Sequence, residues 1–232
     1  FIYKLKSVTI VEIMGRDAGW LTASAALARN SYNETPDYIY LPEVDFDKDA
    51  FVNDIRKALE KKDNVIIAVS EGIHDKNGEY ITAGEAAADT FGHKQLSGTA
   101  TYLANLCGQK FGCKARAVEL ATLKRCAGHM TSRVDITEAY QVGGTAVSAA
   151  FKGETGKMVI LKRVSSDPYI CTTDLYDVDK IANVEKKVPL EWITEDGCGL
   201  NDGYEKYAFS QKVADSGEFA TFLTRHSPPL LL

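Results

Sequence analysis

Residues 8–21 read VTIVEIMGRDAGWL and contain the feature that decides the fold. A β-rich apolar run ends at Met14-Gly15-Arg16, and a helical pattern begins at about Gly19. In an α/β sheet, such a strand-to-helix corner lies where ligands bind, and the next helix points free N–H groups at the site. The guanidinium fork of Arg16 fits a phosphate, Gly15 lets a ligand approach the backbone, and Gly19 eases the tight turn. The corner predicts an anion site, although this motif alone is equally compatible with a surface ion pair of Arg16.

Strand and helix patterns alternate along the rest of the chain. They predict strands over residues 8–14, 38–41, 65–69 and 114–119, and helices over residues 19–30, 49–62 and 99–111. A further helix is predicted to open at Asp135, whose spacing to Glu138 is that of a capping box, and to run to about Phe151. Residues 158–163 and 169–176 are predicted to form a hairpin or an added sheet. The order indicates an α/β protein with a parallel sheet.

Composition and charge exclude several classes of protein. A chain of 232 residues with 45% hydrophobic and 25% charged residues can bury a real core. Its net charge of −5 is spread along the chain and provides no basic stripe for nucleic acid. No apolar run approaches the ~18 residues of a membrane span. Five cysteines without a C-x-x-C pair indicate neither a disulfide framework nor a zinc site, so we expect reduced thiols in a cytoplasmic protein and no metal ligands in this chain.

Four sequence blocks, in order, resemble the phosphofructokinase family. They are VEIMGRDAGWLTAS at residues 11–24, IIAVSEG at 66–72, RAVELATLKR at 116–125 and GKMVILKR at 156–163. The resemblance runs from about Val8 to about Ile193 and implies a three-layer α/β fold built on a parallel sheet. It divides the chain into a sugar-phosphate-binding part (1–155), strands and a helix that complete the fold (156–212) and an unassigned tail (213–232).

The resemblance also implies that the N-terminal part of the family fold is missing. The chain opens with Phe1, and the family's glycine-rich donor loop and catalytic aspartate loop would lie upstream. The sequence contains no Gly-Gly-Asp and no Thr-Ile-Asp-Asn-Asp segment. We therefore expect no catalytic base in this chain, which by itself would bind substrate without turnover.

Site residues follow from the resemblance block by block. The substrate-binding residues that it implies are Met14, Gly15, Arg16, Glu71, Arg116, Thr122 and Arg125. Arg16 would clamp the sugar or contact the transferring phosphate in the transition state, Glu71 would orient sugar hydroxyls, and Arg116 and Arg125 would hold the 6-phosphate, Arg116 from across a subunit boundary. Thr122 replaces the usual histidine or tyrosine, Lys124 replaces the usual glutamine, and a family arginine is replaced by Ser7, for which Lys6 is a substitute to consider.

The reaction implied is the glycolytic transfer of a phosphoryl group to the 1-hydroxyl of fructose 6-phosphate by a kinase that uses magnesium. The donor is diphosphate or ATP, and the segment ELATLKRCAGHMTSRVDITEA favours the diphosphate-dependent branch. Magnesium would be bound mainly by the missing N-terminal part, and the full-length protein would be a homo-oligomer, either a dimer or a tetramer. The alternative is a non-catalytic sugar-phosphate-binding or regulatory subunit. The segment FGHKQL at residues 91–96 resembles a family motif out of register, and we interpret it as a helix-entry loop.

Overall fold

The computed structural model describes residues 5–82 and 98–208, which form two compact units. One unit consists of the described residues of Phe1–Cys126 together with Lys186–Glu205, and the other of Ala127–Glu185 with the described residues from Lys206 on. The boundaries of these units reflect which residues pack together. The predicted division at residues 155 and 212 instead separates parts of the chain by function, and it stays a prediction.

A parallel four-stranded sheet organises the first unit, in the order β2-β3-β1-β4. Its elements are β1 (Ser7–Ile13), α1 (Trp20–Ala23), a 3-10 segment (Ser24–Ala28), β2 (Tyr38–Tyr40), α2 (Lys48–Lys61), β3 (Asn64–Ser70), α3 (Thr99–Phe111), β4 (Lys114–Glu119), α4 (Ala121–Cys126) and a late 3-10 turn (Leu190–Trp192). β1 is the central strand and pairs in parallel with β3 on one side and β4 on the other. The predicted α/β architecture with a parallel sheet is confirmed.

Apolar runs in β1 and β3 build the core of this unit. Ile10 and Ile67 are fully buried, as are Phe51 and Ile55 on one face of α2 and Leu103 on α3. Each such side chain contributes about 1.5–3 kcal/mol through the apolar surface that it removes from water. The two inner strands therefore hold their carboxyl ends at a fixed place, which is where a site can form.

Local sequence signals explain where the long helices begin and end. The Asp47 carboxylate caps α2 by accepting hydrogen bonds from the N–H groups of Asp49 (2.7 Å) and Ala50 (3.0 Å). α3 ends at Gly112, whose φ of +59° suits a residue without Cβ. A helix follows Gly19 as predicted, but it is not α-helical over residues 19–30. Its α-helical part covers four residues, Trp20–Ala23, before the chain tightens into the 3-10 segment Ser24–Ala28.

The second unit consists of α5 (Arg133–Phe151) and an antiparallel hairpin of β5 (Lys157–Ser166) and β6 (Tyr169–Asp177), with short 3-10 turns at Gly128–Met130 and Val178–Lys180. The predicted hairpin is confirmed. The predicted opening of α5 at Asp135 is wrong: Ser132 is the N-cap, and its hydroxyl accepts a hydrogen bond from the Asp135 N–H at 3.1 Å. A serine hydroxyl preceding the first turn satisfies this donor better than a carboxylate within the turn.

None of the helices in the described parts of the chain combines the length and the apolar character needed to cross a bilayer. All five cysteines carry free thiols, and burial raises the pKa of Cys107 and of Cys198 to about 12.

Candidate functional site

The carboxyl ends of β1 and β3 are joined by hydrogen bonds into one corner. The Glu71 N–H donates to the carbonyl of Ile13 at 3.1 Å, and the Gly15 N–H donates to Oε1 of Glu71 at 3.2 Å. The Ser70 hydroxyl donates to the carbonyl of Gly15. The two loops predicted to bind substrate therefore meet, and the Glu71 side chain lies against the backbone of the Met14-Gly15-Arg16 turn.

Gly72 allows this close approach. A Cβ atom at Gly72 would lie 1.6 Å from the carbonyl oxygen of Arg16, which is impossible without a backbone shift. Gly15 is also restricted, because its Cβ would lie 2.9 Å from the carbonyl oxygen of Ala18. Gly72 is thus needed for the contact between the two turns and fixes the position of the Arg16 backbone, whereas Gly15 is needed for the close packing of its own turn against Ala18.

Gly19 has a different role from the one that its sequence position suggested. Its φ is −89°, so the turn does not require the conformational freedom of glycine. A Cβ there would lie 2.7 Å from Oε2 of Glu43, and the Gly19 N–H donates to Oε1 of Glu43 at 2.8 Å. The same oxygen accepts from the Val188 N–H at 2.9 Å. Gly19 is required because the chain packs tightly against the half-buried side chain of Glu43.

The half-buried side chain of Arg16 lies beside Tyr80. The Tyr80 hydroxyl donates to Oδ1 of Asp17 at 2.7 Å. Burial raises the pKa of Tyr80, Asp17 raises it further, and the Arg16 guanidinium lowers it. Sequence reasoning missed Asp17 and Tyr80, although the Asp17 carboxylate follows Arg16 directly.

Helix α4 brings two cationic side chains to the corner. Nη2 of Arg125 donates to the Sδ of Met14 at 3.1 Å, and the rest of this side chain is exposed. A thioether is a weak acceptor, so the guanidinium keeps most of its donor capacity for another ligand. Lys124 is half-buried and interacts electrostatically with Glu71 and Arg125. Thr122 is exposed on the first turn of the same helix.

Arg116 is not brought to this corner. It lies in the middle of β4, paired in register with Thr9, and its side chain is exposed. Glu119 ends the strand three residues later, which corresponds to about 10 Å at ~3.3 Å per residue. The predicted action of Arg116 on a neighbouring subunit stays a prediction. At the other end of β1, the Lys6 ammonium donates to the carbonyl of Leu59 at 2.7 Å.

Two further carboxylates at the strand ends escaped sequence reasoning. Glu12 in β1 is 5% exposed, and its Oε2 accepts from the Ala100 N–H at 2.8 Å, where it caps α3 across the fold. Burial raises the pKa of Glu12, the Ala100 N–H lowers it, and the nearby charges of Glu119 and Glu71 raise it again. Glu119 accepts a hydrogen bond from the Thr101 hydroxyl at 2.8 Å. The signal available in the sequence was a single charge within the apolar run VTIVEI.

Within residues 5–82 and 98–208, no group of three or more His, Cys, Asp or Glu side chains is arranged to hold a metal ion. The segment FGHKQL, with His93, lies outside the described residues.

Comparison with known proteins assigns the chain to a family. The model of the family described as phosphofructokinase matches residues 4–150, a range that includes all seven predicted substrate-binding residues. This chain belongs to the phosphofructokinase family. The first three blocks of the sequence resemblance lie within this range, and the family that they indicated is confirmed.

Individual phosphofructokinase relatives agree with the family match. The pyrophosphate–fructose 6-phosphate 1-phosphotransferase of Halomonas elongata is 36% identical over 200 residues, which cover 86% of this chain and 48% of the relative. The ATP-dependent 6-phosphofructokinase 2 of Streptomyces coelicolor is 32% identical over 156 residues, covering 67% of this chain and 43% of the relative. The crystal structure of the pyrophosphate-dependent phosphofructokinase of Nitrosospira multiformis superposes with a TM-score of 0.76 at 30% identity, covering 90% of this chain and 48% of that one. This chain spans about half the length of the curated relatives that it matches.

Proposed function

We propose that this chain supplies the fructose 6-phosphate side of a 6-phosphofructokinase. The reaction is transfer of a phosphoryl group from a donor to the 1-hydroxyl of fructose 6-phosphate, giving fructose 1,6-bisphosphate in cytoplasmic glycolysis. The observation that carries the proposal is the corner itself. There the Gly15 N–H holds the Glu71 carboxylate, and the Arg125 guanidinium donates to the thioether sulfur of the adjacent Met14.

Each group at the corner has a role that its chemistry suits. Arg125 offers a planar fork of N–H donors that matches phosphate oxygens, and Thr122 offers a hydroxyl one turn earlier. Glu71 accepts hydrogen bonds from sugar hydroxyls, while Arg16 lies on the turn where the sugar or the transferring phosphate would be bound. In phosphoryl transfer the protein mainly positions the reactants and stabilises charge, and these side chains perform that work on the acceptor.

The donor that we propose is diphosphate, with ATP as the alternative. Seven of the first eight curated relatives carry diphosphate-dependent names at 34–38% identity, and the Streptomyces relative is named as ATP-dependent. The family's reaction uses magnesium to neutralise the donor, and we assign it no ligand among the described residues. We further propose a homo-oligomer, a dimer or a tetramer, in which exposed Arg116 on β4 reaches the pocket of a neighbouring subunit.

Calorimetric titration of fructose 6-phosphate tests the proposal. Arg125→Ala is expected to weaken binding by about tenfold to a hundredfold, since a hydrogen bond to a charged group contributes ~1.5–3 kcal/mol. Arg56→Ala is the matched control, because Arg56 is an exposed arginine on α2. Fructose and inorganic phosphate as separate ligands distinguish sugar recognition from anion recognition.

Equal affinities for the Arg125→Ala and Arg56→Ala variants would contradict the assignment of the phosphate site. Turnover of fructose 6-phosphate by this chain would instead contradict the expectation that it lacks the catalytic base. Tight binding without turnover, even with donor and magnesium present, is the result expected both for a fragment and for a regulatory subunit.

A further inference from the structure

Lys124 has an environment that its place on a short surface helix does not explain. Its Nζ atom is buried, and no hydrogen-bond partner is found for it among the described residues. An ammonium group has three donors, and a buried cation without a partner is costly, so such groups are normally paired or coordinated. The described part of the corner therefore offers this ammonium no hydrogen-bond acceptor.

The neighbouring charges indicate what would satisfy it. Burial lowers the pKa of Lys124, the Glu71 carboxylate raises it, and Arg125 lowers it again. One Glu71 oxygen already accepts from the Gly15 N–H at 3.2 Å, and Arg125 donates only weakly, to a sulfur at 3.1 Å. Lys124 and Arg125 thus lie side by side at the corner, and the described contacts give neither cation a strong acceptor.

Two other roles for Lys124 agree less well with these contacts. A solvated surface lysine would keep its Nζ in water, whereas this atom is buried. A lysine that serves only to hold Glu71 would donate to it, as Lys62 does to Asp37 elsewhere in the same unit. An anionic oxygen entering the corner would give the ammonium an acceptor that the described residues do not provide.

We propose that Lys124 binds substrate directly and forms, with Arg125, a two-cation clamp on a phosphate group. The proposal rests on the proposed function and extends it, because Lys124 stands where the family usually has glutamine and so adds a charge to the sugar-phosphate site. The ligand chemistry is a phosphate dianion, from the sugar phosphate or from free phosphate. The clamp predicts that affinity depends on the charge at position 124 as well as on Arg125.

Titrations of fructose 6-phosphate and of inorganic phosphate into four variants test the clamp. Lys124→Met is expected to weaken the binding of both ligands by about tenfold to a hundredfold. Lys124→Gln, which restores the usual family residue, should lose less, and Lys124→Arg should keep most of the affinity because it keeps the charge. Lys110→Met is the matched control, since Lys110 is an exposed lysine on α3.

Thermal unfolding without ligand separates binding from a structural role. If Lys124 is unsatisfied until an anion binds, Lys124→Met should melt at or above the wild-type temperature. The phosphate-induced rise in that temperature should shrink in this variant. A lower melting temperature without ligand, together with normal phosphate binding, would overturn the proposal in favour of a structural lysine.

The binding outcomes distinguish failure of the clamp from failure of the proposed function. Unchanged fructose 6-phosphate affinity in Lys124→Met, with a loss in Arg125→Ala, would overturn the clamp and leave the function intact. Weakened phosphate binding in Lys124→Met, with no preference of the wild type for fructose 6-phosphate over phosphate, would support the clamp and refute the sugar-phosphate function. If neither ligand binds to the folded wild type, both the clamp and the proposed function are overturned. Equal losses of affinity in Lys124→Met and Lys124→Arg would overturn the clamp alone.

Discussion

Replacing Gly72 with alanine tests whether the contact between the two turns positions Arg16. The added Cβ would lie 1.6 Å from the Arg16 carbonyl oxygen, and real Cβ atoms essentially never approach closer than 3.0 Å. The turns must therefore separate by at least the difference, 1.4 Å. Because the clashing atom belongs to the backbone, no side-chain rotation relieves the contact.

The separation should affect both stability and binding. Overpacking of this kind costs about 1–3 kcal/mol of unfolding free energy, which corresponds to about 2–12 °C in melting temperature for a chain of this size. Displacement of a substrate-positioning group by more than 1 Å can lower activity by about a hundredfold, and we expect a comparable loss of fructose 6-phosphate affinity. Circular dichroism melting and calorimetric titration measure the two effects separately.

Gly144→Ala is the control for Gly72→Ala. Gly144 lies inside α5, and a Cβ there meets no atom within 4 Å. The control should raise stability by up to ~1 kcal/mol, because alanine has the higher helix propensity, and it should leave binding unchanged. Wild-type melting and wild-type affinity in Gly72→Ala would show that the two turns tolerate separation, and the argument that Gly72 positions Arg16 would then be wrong.

Three further predictions concern carboxylates and caps. Burial raises the pKa of Glu12, so between the ordinary pKa and the raised pKa the folded chain keeps a proton that the unfolded chain has released. The contribution of Glu12 to the free energy of unfolding therefore falls as the pH rises through this range. Glu12→Gln keeps an acceptor without the charge, so in urea unfolding it should match the wild type in acid and equal or exceed it near neutral pH; a loss confined to neutral pH would contradict this. Glu43→Ala removes an acceptor shared by two backbone N–H groups and should cost about 3 kcal/mol at ~1.5 kcal/mol per bond, whereas a cost under ~1 kcal/mol in the same assay would show that water replaces it. Ser132→Ala removes the N-cap of α5 and should cost ~1 kcal/mol, which Ser132→Asp should restore; if alanine is neutral, the cap assignment fails.

Patterns of apolar residues predicted most of the fold. Helix α3 and strand β4 begin and end at the predicted residues, because a buried helical stripe, a terminal Gly112 and a short β-rich run are all local signals. Errors arose where one local signal competed with another. Asp135 has the spacing of a capping box, yet Ser132 makes the capping hydrogen bond, and the helix after Gly19 tightens into a 3-10 segment after one turn.

The sequence by itself also placed the site at two strand ends, since residues that follow parallel strands meet at one edge of a sheet. It placed Met14, Gly15 and Arg16 at a strand-to-helix corner, and the resemblance indicated the family and implied that these residues and Glu71 bind one substrate. Only the tertiary structure decided which of the cationic residues join them. Arg125 reaches the corner and Arg116 does not, because the register of β4 against β1 places Arg116 well before the carboxyl end of the strand. The burial of the Lys124 Nζ, and its lack of an acceptor within residues 5–82 and 98–208, depend on how α4 packs against the other turns, and no pattern in the sequence records that packing.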